Sequence, residues 1–275
     1  MKRLLIAEIY KLRILAEHRA FLATCFLSAI VSVTIINILG IHINDVPMEL
    51  LEQMRFNNMY TFGFIQVNEI SELSDMTSFF VISSAFKNFS PTIAVAIFVS
   101  VFLKNEFKNG GIRNFLLKGF ERKDVLLSKY LIISLVVAFG MILYIVGYIL
   151  ASLILFSNEG FMNYSIINLL IFFVLEIFLH ISFATICFMT SIRIKNHLTA
   201  FLNASMVVGG TMFINNLRVF TNGRYDLSRY WVLDYVVSLS PLESADYRQY
   251  LFATMFTLLG SYVIAKRYFM KIQFE

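Results

Sequence analysis

Residues 130–156 read YLIISLVVAFGMILYIVGYILASLILF, 27 consecutive positions without a charged side chain. A helix rises about 1.5 Å per residue, so about 20 apolar residues cross the hydrocarbon core of a bilayer. This stretch meets that length with some to spare, and it makes lipid the expected solvent of the chain. The composition agrees. Of 275 residues, 58% are apolar and 15% charged, where soluble proteins average roughly 45–50% and about 25%. The charges gather in short patches between apolar runs, and no polar stretch is long enough for a separate soluble domain. Residues 1–275 therefore read as a single transmembrane domain.

Working outward, further runs of this kind cover 21–39, 164–190, 198–214 and 251–265. The last is short, but Tyr247, Tyr250, Lys266 and Arg267 flank it as interfacial anchors. A sixth span is expected over 90–107. Its uninterrupted part, Thr92–Leu103, covers only about 18 Å. Ser90-Pro91 supplies a cap and a first-turn proline, and helical turns through Lys104–Phe107 complete the length. The preceding apolar Ser78–Phe86 reads as a shallow or re-entrant piece. The expected fold is an all-α integral membrane protein with six transmembrane helices.

The basic residues set the orientation. Segments 1–20, 104–129, 191–197 and 266–275 together hold seventeen Lys and Arg, and segments 40–89, 157–163 and 215–250 hold six. Cytoplasmic segments carry the excess, so both termini are expected in the cytoplasm. The net charge of +5 is thereby explained without nucleic acid. Lys2, Arg3, Lys11, Arg13 and Arg19 leave no early apolar core, so no cleavable signal peptide is expected. Cys25 and Cys187 lie inside apolar runs, and no Cys/His spacing points to a metal.

Two basic segments are patterned. In residues 1–20, Leu5, Ile9, Leu12 and Ala16 form an apolar stripe, with Glu8, Lys11, Glu17 and His18 largely elsewhere. This reads as an amphipathic helix in the headgroup plane, or alternatively as a plain cytosolic helix end. Residues 104–129 read KNEFKNGGIRNFLLKGFERKDVLLSK. Gly110-Gly111 ends one helix, a short amphipathic helix spans about 112–118, and Gly119 ends it. Ile112, Phe115, Leu116 and Leu117 are too apolar for a solvated loop. They call for a partner or for the membrane face.

The positions Glu106, Gly110, Arg113, Gly119, Arg122, Ser128 and Lys129 resemble the first cytoplasmic loop of type 2 ABC transporter permeases. Gly111 stands where that pattern carries Thr. Six spans, a basic N-terminal helix and the 217–250 extracellular segment extend the resemblance along the whole chain. The resemblance implies that 104–129 is a coupling loop docking on a separate cytoplasmic ATPase, which binds ATP and magnesium. This chain has no Gly-x4-Gly-Lys-Ser/Thr loop, so it is expected to bind no cofactor and not to be an enzyme. Phe115 and Leu116 are the expected apolar anchors, with Lys118, Arg122 and Lys123 pairing with acidic residues of the ATPase.

A second permease, identical or homologous, is also implied, with spans one and five in contact. Ala200, Ala204, Ser205, Gly209 and Gly210 in span five, with Ala23 and Ser28 in span one, would allow close approach. Intrachain packing explains the same residues equally well. Glu176 and His180 lie four apart on one face of span four. They satisfy each other or line a substrate or proton path. Asn203 reads as a helix–helix hydrogen bond.

The outer face is expected to be acidic through Asp45, Glu49, Glu52, Glu69, Glu72 and Asp75. It carries an amphipathic helix over Pro47–Met59 and the aromatic residues Tyr225, Tyr230, Trp231 and Tyr235. It reads as a receiver for a cationic peptide or as an ordinary anchored surface. The expected function is the membrane subunit of an exporter for an amphipathic or hydrophobic substrate (peptide, drug or lipid) in a bacterial plasma membrane. The alternatives are a sensor or immunity protein that binds a peptide without moving it, and a membrane-embedded enzyme.

Overall fold

The computed structural model describes residues 2–14, 16–43, 61–62, 65–66, 81–82, 85, 89–156, 166–194, 198–220 and 247–272. The expected helix over Pro47–Met59 and most of the 217–250 segment lie outside them. Among these residues, eight helices run in order: α1 Lys2–Ile14, α2 Ala16–Ile43, α3 Ser90–Lys108, α4 Gly111–Leu117, α5 Arg122–Leu155, α6 Ile166–Ile194, α7 Leu198–Phe220 and α8 Tyr247–Lys271. Between α2 and α3, two-residue strands β1 (Thr61–Phe62) and β2 (Ile65–Gln66) pair antiparallel, Thr61 opposite Gln66.

Among the described residues, four helices are long and apolar enough to cross a membrane: α2 over Ala16–Ile38, α3, α5 and α6. Their surface is that of a protein built for lipid. On α5 the exposed side is a stripe of Leu131, Leu135, Phe139, Ile142, Val146, Leu150 and Leu153, while Gly140, Tyr144, Tyr148 and Ser152 are buried. Large apolar groups face outward at helical spacing, and the small and polar ones face the bundle together with Ile133, Val137 and Met141.

Glycines set the closest helix pair. A Cβ on Gly140 would lie 2.5 Å from Phe21 Cε1 and 3.2 Å from Cys25 Sγ. One on Gly147 would lie 3.1 Å from the Phe26 carbonyl oxygen. Two glycines seven residues apart on one face therefore let α2 lie against α5. The central helix is α6, which packs on α3, α5, α7 and α8. Polar contacts fix its neighbours. The Thr185 hydroxyl meets that of Ser261 on α8 at 2.5 Å. Asn203 on α7 donates to Ser100 Oγ on α3 at 2.8 Å and accepts from Thr190 Oγ1 on α6 at 2.7 Å.

The helix α3 starts deep in the bundle. Thr92 Oγ1, near its beginning, meets His180 Nε2 at 3.3 Å, about 21 Å along α6 from Ile166. Ahead of α3, the Ala85 carbonyl accepts from the Tyr144 hydroxyl at 2.6 Å, well inside α5. Val81, Ile82 and Ala85 are all buried. Ala85 thus lies at the level of mid-helix residues of α5.

Candidate functional site

At the basic end of the bundle, α3 hands over to α5 through α4. Gly110 adopts φ +67°, and a side chain there would strain the left-handed turn. The far end of α4 closes as a Schellman motif. Phe120 N–H donates to the Phe115 carbonyl at 3.3 Å, and Gly119 N–H to that of Leu116 at 3.0 Å, with Gly119 at φ +83°. The two turns lay a seven-residue helix across the ends of α3 and α5.

Beneath α4 lies a buried ion cluster. Lys129 Nζ on α5 is 2.5 Å from Glu106 Oε2 on α3 and 2.8 Å from Glu8 Oε1 on α1. Lys11 Nζ adds a contact at 3.4 Å to Glu106 and one at 3.9 Å to Glu8. Glu8 and Lys129 are each 1% exposed, Glu106 6%, and Lys11 34%. Two carboxylates face two ammonium groups, so the cluster is neutral as a set. Burying a charge is costly unless it is paired and hydrogen-bonded, and here the pairing is mutual. The Phe115 ring covers the cluster, its centroid 4.8 Å from Lys11 Nζ and 5.5 Å from Lys129 Nζ. These are cation–π contacts.

The glycine at 111 has a direct cause. A Cβ there would overlap the Glu106 carboxylate, so any side chain at 111 would displace it. Nearby, Asn105 Nδ2 donates to Glu17 Oε1 on α2 at 2.5 Å. Arg122 Nη1 donates to the carbonyls of Met270 at 3.0 Å and Ile272 at 2.7 Å, capping the last turn of α8.

The residues expected to face a partner divide. Phe115 is 7% exposed and turned inward, so it is part of the seat of α4 and not an anchor on its outer face. Leu116 is half-buried, Arg122 caps α8, and Lys129 lies in the ion cluster. The exposed face of α4 is made of Arg113, Asn114, Leu117 and Lys118, with Leu117 at 74%. Lys123 is exposed and pairs with Glu121 at 2.7 Å, which holds the Glu121 carboxyl below the usual carboxylate range.

Helix α1 also turns differently from its apolar stripe. Leu4 and Glu8 are buried, whereas Ile6, Ile9 and Tyr10 are exposed. A helix with its carboxylate inward and its apolar side outward matches lipid outside the bundle. Glu8 and Lys11 thereby join a site that the stripe alone did not reveal. The signal available was a Glu and a Lys three apart in a helix otherwise rich in cations.

The polar residues farther in are arranged around His180. Its Nδ1 lies 2.8 Å from the Glu176 main-chain carbonyl and 3.6 Å from Glu176 Oε2. The Glu176 carboxylate is fully buried and has no hydrogen-bond partner among the described residues. No cluster of metal-ligating side chains occurs among the described residues. On α7, Ala200 and Ala204 are half-buried, and a Cβ on Gly209 would meet nothing within 4 Å. Compared with protein-family models, curated proteins and solved structures, the chain finds no match.

Proposed function

We propose that this chain is the membrane-spanning permease subunit of an ATP-driven exporter. In this reading α2, α3, α5, α6, α7 and α8 are six spans, both termini are cytoplasmic, and α4 docks on a separate ATPase of the ABC kind. The cargo is amphipathic or hydrophobic, and a second permease packs on the small-residue face of α7.

One observation carries the reading: α4 has two faces with opposite roles. The inner face is bolted to α1, α3 and α5 through Phe115 and the Glu8–Lys11–Glu106–Lys129 cluster. The outer face presents an exposed leucine between cations. A loop that merely connected two helices has no need of either. A push on α4 is handed to Glu106 and Lys129, and so to two candidate spans at once, instead of being lost in a flexible turn. Movement follows only if the ATPase with ATP prefers one arrangement of those helices.

The test is co-purification with the ATPase encoded beside this chain. Leu117→Asp with Lys118→Glu changes only exposed positions, so the variant is expected to fold, to remain in the membrane and to lose the ATPase. Retention of the ATPase by that variant, or no ATPase on the wild type under gentle extraction, would sink the proposal. The sensor and immunity readings would then come forward.

A further inference from the structure

Two clefts meet at Glu17. One, of about 270 Å³, lies at the basic end and carries the polar side chains Lys11, Glu17, Asn105, Glu106 and Asn114 beside Phe102. The second, of about 340 Å³, runs along the seam of α2 and α3 and is lined by Ala20, Phe21, Thr24, Ala94, Ile97 and Val101. Glu17 lines both. It stands where a charged end of the groove gives way to an apolar one.

The charges say which head group fits. Lys11, the cation of the first cleft, is engaged by Glu106 and Glu8, while Lys129 is buried behind them. Glu17, a half-buried residue lining the cleft, accepts from a neutral amide, Asn105 Nδ2. With Glu106 below it, the pocket presents acceptors and a carboxylate to a head group. An anionic head would be repelled by the Glu17 carboxylate, since Glu106 is already neutralised by Lys11 and Lys129. An ammonium head would gain a charge-assisted hydrogen bond.

The apolar cleft says which tail fits. From Glu17 to Thr24 along α2 is about 10 Å at the helical rise. An extended alkyl chain advances roughly 1.2 Å per bond, so this length takes about eight to ten carbons. The size is that of a site for one small ligand. The walls open to the lipid side, since Thr24 and Ile97 are exposed.

We infer that the α2–α3 seam binds a single-chain amphiphile with a primary-amine head, its amine on Glu17 and its tail between Phe21, Thr24, Ile97 and Val101. This goes beyond the exporter proposal and does not depend on an ATPase. Its test measures ligand and not ATP.

The probe is a twelve-carbon primary amine carrying a mid-chain diazirine, photolysed with the full chain in phosphatidylcholine vesicles and mapped by mass spectrometry. Labelling is expected to concentrate on the α2–α3 seam. Dodecylamine should suppress it at least five-fold more effectively than dodecanoate, and Glu17→Gln should bring the two competitors within two-fold of each other. The Gln oxygen still accepts from Asn105, so the fold is retained, as checked by an unchanged melting midpoint. Ala94→Phe provides an independent arm, because it fills the tail path without touching a charge and should reduce labelling several-fold.

Three results would overturn the inference. The first is label falling no more heavily on the seam than on the exposed Leu131–Leu153 stripe of α5, which reports ordinary lipid contact. The second is the acid competing as well as the amine. The third is Thr24→Cys cross-linking two copies across the seam, which would make a second chain the occupant.

Discussion

Replacing Lys129 with methionine keeps the length of the side chain and removes the charge shared by Glu8 and Glu106. Their oxygens lie 2.8 and 2.5 Å from one Nζ, so without it two carboxylates face each other across about 5 Å or less. At an effective dielectric constant of about 20, that repulsion is roughly 3 kcal/mol. Lys11 offsets part of it from 3.4 Å, but each acid also loses its closest donor. Breaking a buried pair from one side typically costs about 3–5 kcal/mol. For a chain of this size the melting midpoint should fall by roughly 6–15 °C. The assay is thermal unfolding in a mild detergent, followed by loss of the monodisperse peak. Adding Glu106→Gln to Lys129→Met removes the uncompensated charge and should restore at least half of the loss. A midpoint within about 2 °C of wild type for Lys129→Met, or a double variant no better than the single one, would refute the account of a mutually compensated cluster.

Gly111→Ala forces the Glu106 carboxylate aside, and a loss of about 1–3 kcal/mol in thermal stability is expected. If the alanine is neutral, the close seat of α4 on Glu106 is wrong. Gly140→Ala should cost a similar amount by pushing Phe21 off α5, and Phe21→Leu in the same chain should recover much of it. Equal loss in single and double variants, read by the same melting assay, would remove the glycine contact as the cause. Asn203→Leu deletes the hub joining α3, α6 and α7 and should cost about 0.6–2 kcal/mol. No change would show that Ser100 and Thr190 find other partners. Glu176→Leu removes a buried carboxylate without a hydrogen-bond partner among the described residues, so the melting midpoint should stay level or rise. A large fall would mean that the carboxylate is paired in the membrane.

The four long apolar helices were legible because hydrophobic length is a property of the sequence alone. Their ends were less so: α5 begins at Arg122, eight residues before the uncharged run, because Lys129 can be helical and buried once Glu8 and Glu106 meet it. Glycine placement around α4 was also readable, since turns demand it locally. What could not be read was which side of α4 faces in. Apolar content marked Phe115 as an anchor, but an aromatic ring serves equally well as a lid over cations, and only the tertiary arrangement decides. Glu8 escaped for a related reason. Amphipathic patterning assigns a carboxylate to water, whereas this one is turned to a lysine 121 positions away in sequence.

Glu8, Glu106 and Lys129 are covered by Phe115 and nearly closed to solvent, while Arg113 and Lys118 are exposed to it. Mobile ions screen exposed charges over about 8 Å at physiological strength and reach buried pairs much less. The two joints on either side of α4 therefore respond differently to salt. Raising ionic strength should loosen any acidic partner held on the outer face while leaving the inner seat as stiff as before. In mechanical terms α4 is a rigid crank with one slipping end, and salt acts on the clutch without bending the shaft.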